Sequence, residues 1–244
     1  MQALNDLRRR GPVGDMVADA VAEAVGRERR VDPVLPRTGG PAGNALLTAW
    51  TALVLLGGSV AELLTLFNVR GVISWHVAVG ALLVPPAVMK TASTGWRIVR
   101  YYFGDAEYRQ AGPPPTLLRL LGPLVIISTL GLLASGVLLV LLGPLRSHQI
   151  VFGIPAFRLD WIGVHQGFFA VWVIATGLHV LGRIVPALRI TLASPGGTGV
   201  PGAWSRWLLM GTMVVSGVAL AVALVHADGS WIGFHRFEFE HTSD

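Results

Sequence analysis

Cysteine is absent from this chain of 244 residues, which excludes disulfides, thiolate metal sites, iron–sulfur ligation, thioether attachment of a prosthetic group and cysteine nucleophiles. Any metal must be held by nitrogen or oxygen ligands, or by methionine sulfur. Charge is scarce as well. Only 14% of residues are charged against 52% hydrophobic, and the mean hydropathy is +0.60, values of a membrane protein and not of a soluble domain. Lysine is nearly missing: Lys90 stands alone against eighteen arginines. The composition, rich in Ala, Gly, Val, Leu and Arg, reads as that of a GC-rich bacterial genome, where drift would replace an unconstrained lysine by arginine, so Lys90 invites a functional reading. Also missing are a Walker loop, a dinucleotide fingerprint, HExxH and GxSxG, and no internal repeat is evident. The run Gly196-Gly197-Thr198-Gly199, flanked by Pro195 and Pro201, reads as a turn-rich connection and not as a phosphate cradle.

Five apolar stretches are present, roughly 45–67, 72–93, 117–142, 161–185 and 204–226. Each is long enough to cross a hydrocarbon core as a helix, which takes about 20 residues. The expected fold class is therefore an all-α membrane protein with five transmembrane helices, four of them forming a bundle and one additional. The second stretch carries Pro85-Pro86, which removes backbone donors and is expected to kink or locally unwind that helix. Gly131, Ser135 and Gly136 in the third are small-residue positions that let helices approach. Fourteen arginines fall in the amino-terminal tail, the loop after span two and the region around the connection of spans four and five, whereas Arg70, Arg146, Arg158 and Arg236 fall on the other face. The positive-inside bias then places the amino terminus in the cytoplasm and the carboxy terminus outside a bacterial plasma membrane. The same bias accounts for the net charge of +5 without nucleic acid.

Residues 1–44 read as a cytoplasmic basic tail, 45–226 as the five-span bundle and 227–244 as an extracytoplasmic tail. The first tail has no apolar core of a cleavable signal peptide. Within it, Asp15 to Arg30 sets Val17, Val21 and Val25 on one face, with acids first and arginines last, the pattern of a short amphipathic surface helix. A partly disordered basic tail is the alternative. The loop Trp96 to Pro115 reads as an interfacial collar of tyrosines and arginines meeting lipid headgroups, ended by a stiff proline run. In the last tail, Phe237-Glu238-Phe239-Glu240 alternates as a short strand or an interfacial segment would, and an extracytoplasmic partner is conceivable there.

Ionisable groups within apolar spans are costly unless they face a protein interior and find a partner. His165 and His179 lie fourteen positions apart in span four, and Lys90 lies fourteen positions after His76 in span two. Fourteen residues return a helix to within about 40° of its starting face, displaced by about 21 Å. His76 and His165 each stand about five residues into spans that run in the same direction, so they share a depth. Gly80, Gly163 and Gly167 supply backbone relief near these rings, and Arg70, Arg146 and Arg158 are available near the same surface. Lys90 has three readings: a snorkelling interfacial lysine, a neutral amine ligand opposite His179, or a cation for an anionic or carbonyl oxygen. The histidines have a structural reading too, as hydrogen-bond partners of neighbouring helices that bind nothing. His226 ends span five and reads as interfacial packing, and Glu62 in span one reads either as a proton relay or as an interfacially solvated acid.

The pattern resembles the transmembrane b-type cytochromes, that is, respiratory cytochrome b and the haem-bearing membrane subunits of bacterial oxidoreductases such as formate dehydrogenase and hydrogenase. In respiratory cytochrome b two parallel helices each carry two histidines fourteen apart. His76, His165 and His179 match three of those positions, and Lys90 occupies the fourth. The resemblance implies one haem b held by His76 and His165 and leaves open a second marked by His179 and Lys90, with propionate partners in Arg70 and Arg158, and Gly80 and Gly167 as positions where a flat macrocycle meets the backbone. It also implies an electron-transfer subunit linking a quinone or menaquinone pool to a redox partner protein, with a stand-alone quinol-linked reductase left open beside it. The competing expectation is a haem-free scaffold or small transporter whose histidines pack or relay protons.

Overall fold

The computed structural model describes residues 18, 21, 22, 39–110, 116–154, 157–193 and 199–232. The elements are α1 (Gly39–Thr65) with a short 3-10 turn (Leu66–Asn68), α2 (Ile73–Tyr102), α3 (Ala106–Gln110), α4 (Thr116–Ser147), β1 (Ile150–Ile154), β2 (Phe157–Asp160), α5 (Trp161–Ala193) and α6 (Ala203–Ala227). Five of these helices are long and apolar enough to cross a membrane. They coincide with the five apolar stretches and overrun several of them, because Arg, Thr and Ser beyond an apolar run continue a helix into the interface as readily as they end it. The protein is an all-α membrane protein, with one two-stranded hairpin among the described residues.

Helix packing makes a ring. α1 packs on α2, α2 on α4, α4 on α5 and α5 back on α1, which leaves α2 and α5 at opposite corners. α6 lies outside the ring against α2. Where α2, α4 and α6 meet, Ala81, Val140, Ala221 and Leu224 form one buried cluster. A second cluster, Ala42, Ala45 and Val200 with Ile190 against it, closes the opposite end between α1 and α5. Close approach depends on missing side chains: a Cβ on Gly131 of α4 would overlap the Phe168 ring of α5, and a Cβ on Gly58 of α1 would collide with Leu83 of α2. Large Val, Leu and Ile side chains such as Val215 (70% exposed), Ile174 (66%) and Leu181 (71%) point outward, as a lipid solvent favours and water would not.

Several local expectations change. α2 runs as one helix through Pro85 and Pro86 with no unwound segment. The interior break occurs instead at Gly143 in α4, with φ 70° and ψ 171°, immediately before Pro144, where glycine tolerates a conformation other residues avoid. The β1–β2 hairpin was not anticipated. Asp160, its last residue, caps α5 by accepting a hydrogen bond from the Gly163 backbone N–H at 2.7 Å. The collar folds compactly: Arg100 pairs with Asp105 at 2.8 Å and lies over the Trp96 and Tyr108 rings. Burial raises the Tyr108 phenol above its ordinary pKa, offset in part by a hydrogen bond from Trp96 and by Arg100. Of the amino-terminal amphipathic segment, Ala18, Val21 and Ala22 are helical, and the rest lies outside the described residues. So do the triple proline, the Gly196-Gly197-Thr198 turn and the Phe237–Glu240 alternation.

Arg206 shows how the fold handles a charge within a span. It is 5% exposed and donates to the Pro201 carbonyl at 2.7 Å and the Val200 carbonyl at 2.9 Å, closing the connection between α5 and α6 over Gly43. Arg206→Met removes both donors and leaves the carbonyls to an apolar neighbour, a loss of about 1–3 kcal/mol. Unfolding in detergent should show a lowered midpoint, with Arg206→Lys intermediate. An unchanged midpoint for Arg206→Met would show that the connection does not depend on these bonds.

Candidate functional site

A cavity of about 380 Å³ occupies one end of the ring, between the opposite corners α2 and α5. Its lining runs from Leu55 on α1 to Leu66 in the 3-10 turn and from Thr129 to Val140 on α4, a slot about 16 Å long by the helical rise of α4. Its size suits a small-molecule site. The walls are almost wholly apolar. The exceptions include His76 on α2, His165 and Gln166 on α5, Glu62 and Ser59 on α1 and Thr129 on α4.

Both imidazoles make their hydrogen bonds through Nδ1. Thr65 Oγ1 donates to the Glu62 carbonyl at 2.6 Å, so its single proton is committed. Toward His76 Nδ1, at 2.8 Å, it therefore accepts. The Glu62 carboxylate, with Oε1 at 3.0 Å from the same nitrogen, accepts too. Both partners require a proton on Nδ1. At the second ring Ser135 Oγ lies 3.0 Å from both the Leu132 carbonyl and His165 Nδ1, and with its proton on the carbonyl it accepts from an Nδ1–H. In a neutral imidazole with Nδ1 protonated, Nε2 is a lone-pair donor. No hydrogen bond occupies either Nε2 among the described residues. In that form each ring carries a ligand-type nitrogen and is braced by an oxygen acceptor, and both rings line one cavity, an arrangement common at metal-bound histidines.

Glycines make this possible in a way the sequence left open. Gly80 lines the cavity, but the space its missing side chain leaves is used by Glu62, whose Oε1 would lie 3.3 Å from a Cβ there. Gly136, one residue after Ser135, admits the His165 ring, with Cε1 at 3.2 Å from a Cβ built on it. Gly163 sits in the capping turn against Leu159 and Asp160, and Gly167 faces open space away from the cavity. Arg70, next to the cavity-lining Val69, is exposed, and Arg158 is exposed on β2 opposite Gly153; neither lines the cavity.

The second pair differs. Lys90 and His179 come within electrostatic range of each other, with Arg183 beside them, so α2 and α5 do bring the fourteen-residue partners to one level. Neither residue lines the cavity, whose deepest lining on these helices is Leu83 and Trp172. At the lower level His179 Nδ1 and Thr176 Oγ1 are buried without a hydrogen-bond partner. His226 is exposed at the end of α6, near its own Val222 carbonyl. Among the described residues no group of three or more His, Cys, Asp or Glu side chains converges on a point, so a bare metal ion has no protein cage.

The fold and the site define a class: an all-α membrane protein whose helical bundle holds an apolar slot lined by two imidazoles. No protein family, curated protein or solved structure matches the chain. Sequence reasoning weighed Glu62 only as a relay or a solvated acid, and it did not find Thr65 or Ser135 as ring partners. The signal it had was the Glu62/Thr65 spacing of three and the small pair Ser135-Gly136.

A direct check is the tautomer. In nitrogen-15 spectra of histidine-labelled protein free of added cofactor, His76 and His165 should both appear as neutral Nδ1–H rings, and Glu62→Leu should shift His76 alone toward a mixture. Finding Nε2–H rings in the unaltered protein would contradict the assignment.

Proposed function

We propose that this protein is a membrane b-type cytochrome in which His76 and His165 hold one haem b from opposite sides, and that it serves as an electron-transfer subunit between a quinone pool and a redox partner protein. The observation that carries the reading is the pair of Nδ1-braced rings on opposite corners of one apolar slot, each with Nε2 uncommitted. When bound there, a haem b supplies reversible one-electron transfer. The chain's own residues do the rest: Glu62, Thr65 and Ser135 fix the rings and their protons, while Leu132, Leu133, Val137 and Phe169 supply an apolar wall. His76 and His165 would both be used in holding the group, which favours electron transfer over oxygen chemistry.

One haem fits this reading better than two, since the slot belongs to the His76 and His165 level and Lys90 and His179 lie beyond it. In a bacterial plasma membrane with the amino terminus inside, as the arginine distribution favours, the haem would lie toward the outer surface. A second reading has one specific observation in its favour. Glu62 Oε2 is buried without a hydrogen bond while Oε1 contacts His76, the geometry of a proton-handling pair in a haem-free scaffold or transporter.

The two readings separate on colour. After haem-replete expression, reduced-minus-oxidised spectra should show a b-type band that His76→Ala and His165→Ala each abolish, and Gly136→Leu should lower haem content by crowding the His165 ring. If both alanine variants kept the full band, the ligand assignment would be wrong. A colourless unaltered protein would favour the proton-handling reading.

A further inference from the structure

β1 is five residues long and wholly exposed, and it contains no charge: Ile150 is 54% exposed, Val151 46%, Phe152 55% and Ile154 51%. Its register with β2 slips between Ile150 and Phe152, and the sheet has no third strand among the described residues. A two-stranded hairpin is marginal in water unless something packs against it. A contiguous apolar patch of this kind marks a contact surface.

Its position says what covers it. Only His148 and Gln149 separate β1 from the end of α4, and β2 runs directly into the Asp160 cap of α5. Five strand residues span about 16 Å, so the hairpin cannot leave the neighbourhood of the helix ends. Its apolar surface continues that of α4, where Leu141 is 66% and Leu145 79% exposed toward the lipid side. Arg146 and Arg158 are exposed at its flanks, placed as cations that meet lipid phosphates while apolar neighbours enter the acyl boundary. The hairpin's acid, Asp160, is engaged with the Gly163 N–H and lies 3.5 Å from His148.

We propose that the β1–β2 hairpin is a lipid-inserted anchor: β1 lies at the headgroup–acyl boundary of the leaflet at the His76 end, held by its apolar side chains and by Arg146 and Arg158 on lipid phosphates. This stands on the exposure and placement of the hairpin and is independent of what the cavity binds.

The absence of cysteine makes the test clean. Val151→Cys, Phe152→Cys and, as a reference in the middle of α6, Val215→Cys would each carry a nitroxide in full-length protein reconstituted into phosphatidylethanolamine–phosphatidylglycerol vesicles. The Val215 label should be reached by oxygen and not by a water-soluble nickel chelate, which verifies insertion. The hairpin labels should favour oxygen over nickel as well, at a shallower depth than Val215. Preferential access by nickel would place β1 in water and overturn the proposal. Shielding from both reagents would also overturn it, because a second copy or another part of the chain would then cover the strand.

Discussion

Two hydroxyl groups, each bonded to a carbonyl of its own helix and to an imidazole nitrogen, brace the two histidines of the cavity. Thr65 and Ser135 each donate to a carbonyl of their own helix, three residues back, and each is thereby left as an acceptor facing an imidazole. A hydroxyl free to rotate would leave the tautomer undetermined. Here the helix backbone sets the hydroxyl, the hydroxyl sets the ring, and the ring sets which nitrogen is left for a ligand. The Glu62 carboxylate adds a second acceptor to one ring and none to the other, so the two imidazoles are braced unequally.

The arrangement depends on α2 and α5 each packing on α1 and α4 more closely than on one another. If α2 and α5 packed against each other, the rings would fill one another's space. The ring of contacts through α1 and α4 holds them apart, and those intermediate helices carry the braces: Glu62 and Thr65 on α1, Ser135 on α4. Gly136 lets α4 come close enough for Ser135 to reach His165. Fold and site are therefore one problem. Helix spacing wide enough for a slot across one diagonal requires close packing along the edges, which Gly58 and Gly131 permit.

Much of this was legible in the sequence and some was not. Apolar runs locate spans because lipid imposes a length and excludes unpaired polar groups. Helical periodicity then puts His165 and His179 on one face, and the matched depths of His76 and His165 follow from the alternating direction of the spans. Periodicity is silent on whether a face meets a cavity or a packed neighbour, so it left Lys90 and His179 open as a second site, although the slot ends at Leu83 and Trp172. The braces were harder still: Ser135 meets His165 across thirty positions only because α4 and α5 pack in one register. Gly80 drew attention for the right cavity, but a glutamate fills the space it leaves. Arg206 counted as one loop cation among others and proved to be a buried tie on two carbonyls.

The proposed reading is that the imidazoles of His76 and His165, on opposite corners, hold a single iron. The most direct measurement is haem b per chain by pyridine haemochrome on the purified protein, read together with the low-temperature EPR spectrum of its ferric state. One haem per chain with a low-spin, bis-nitrogen signal is the predicted result. A high-spin signal, or no haem after haem-replete expression, would contradict the account.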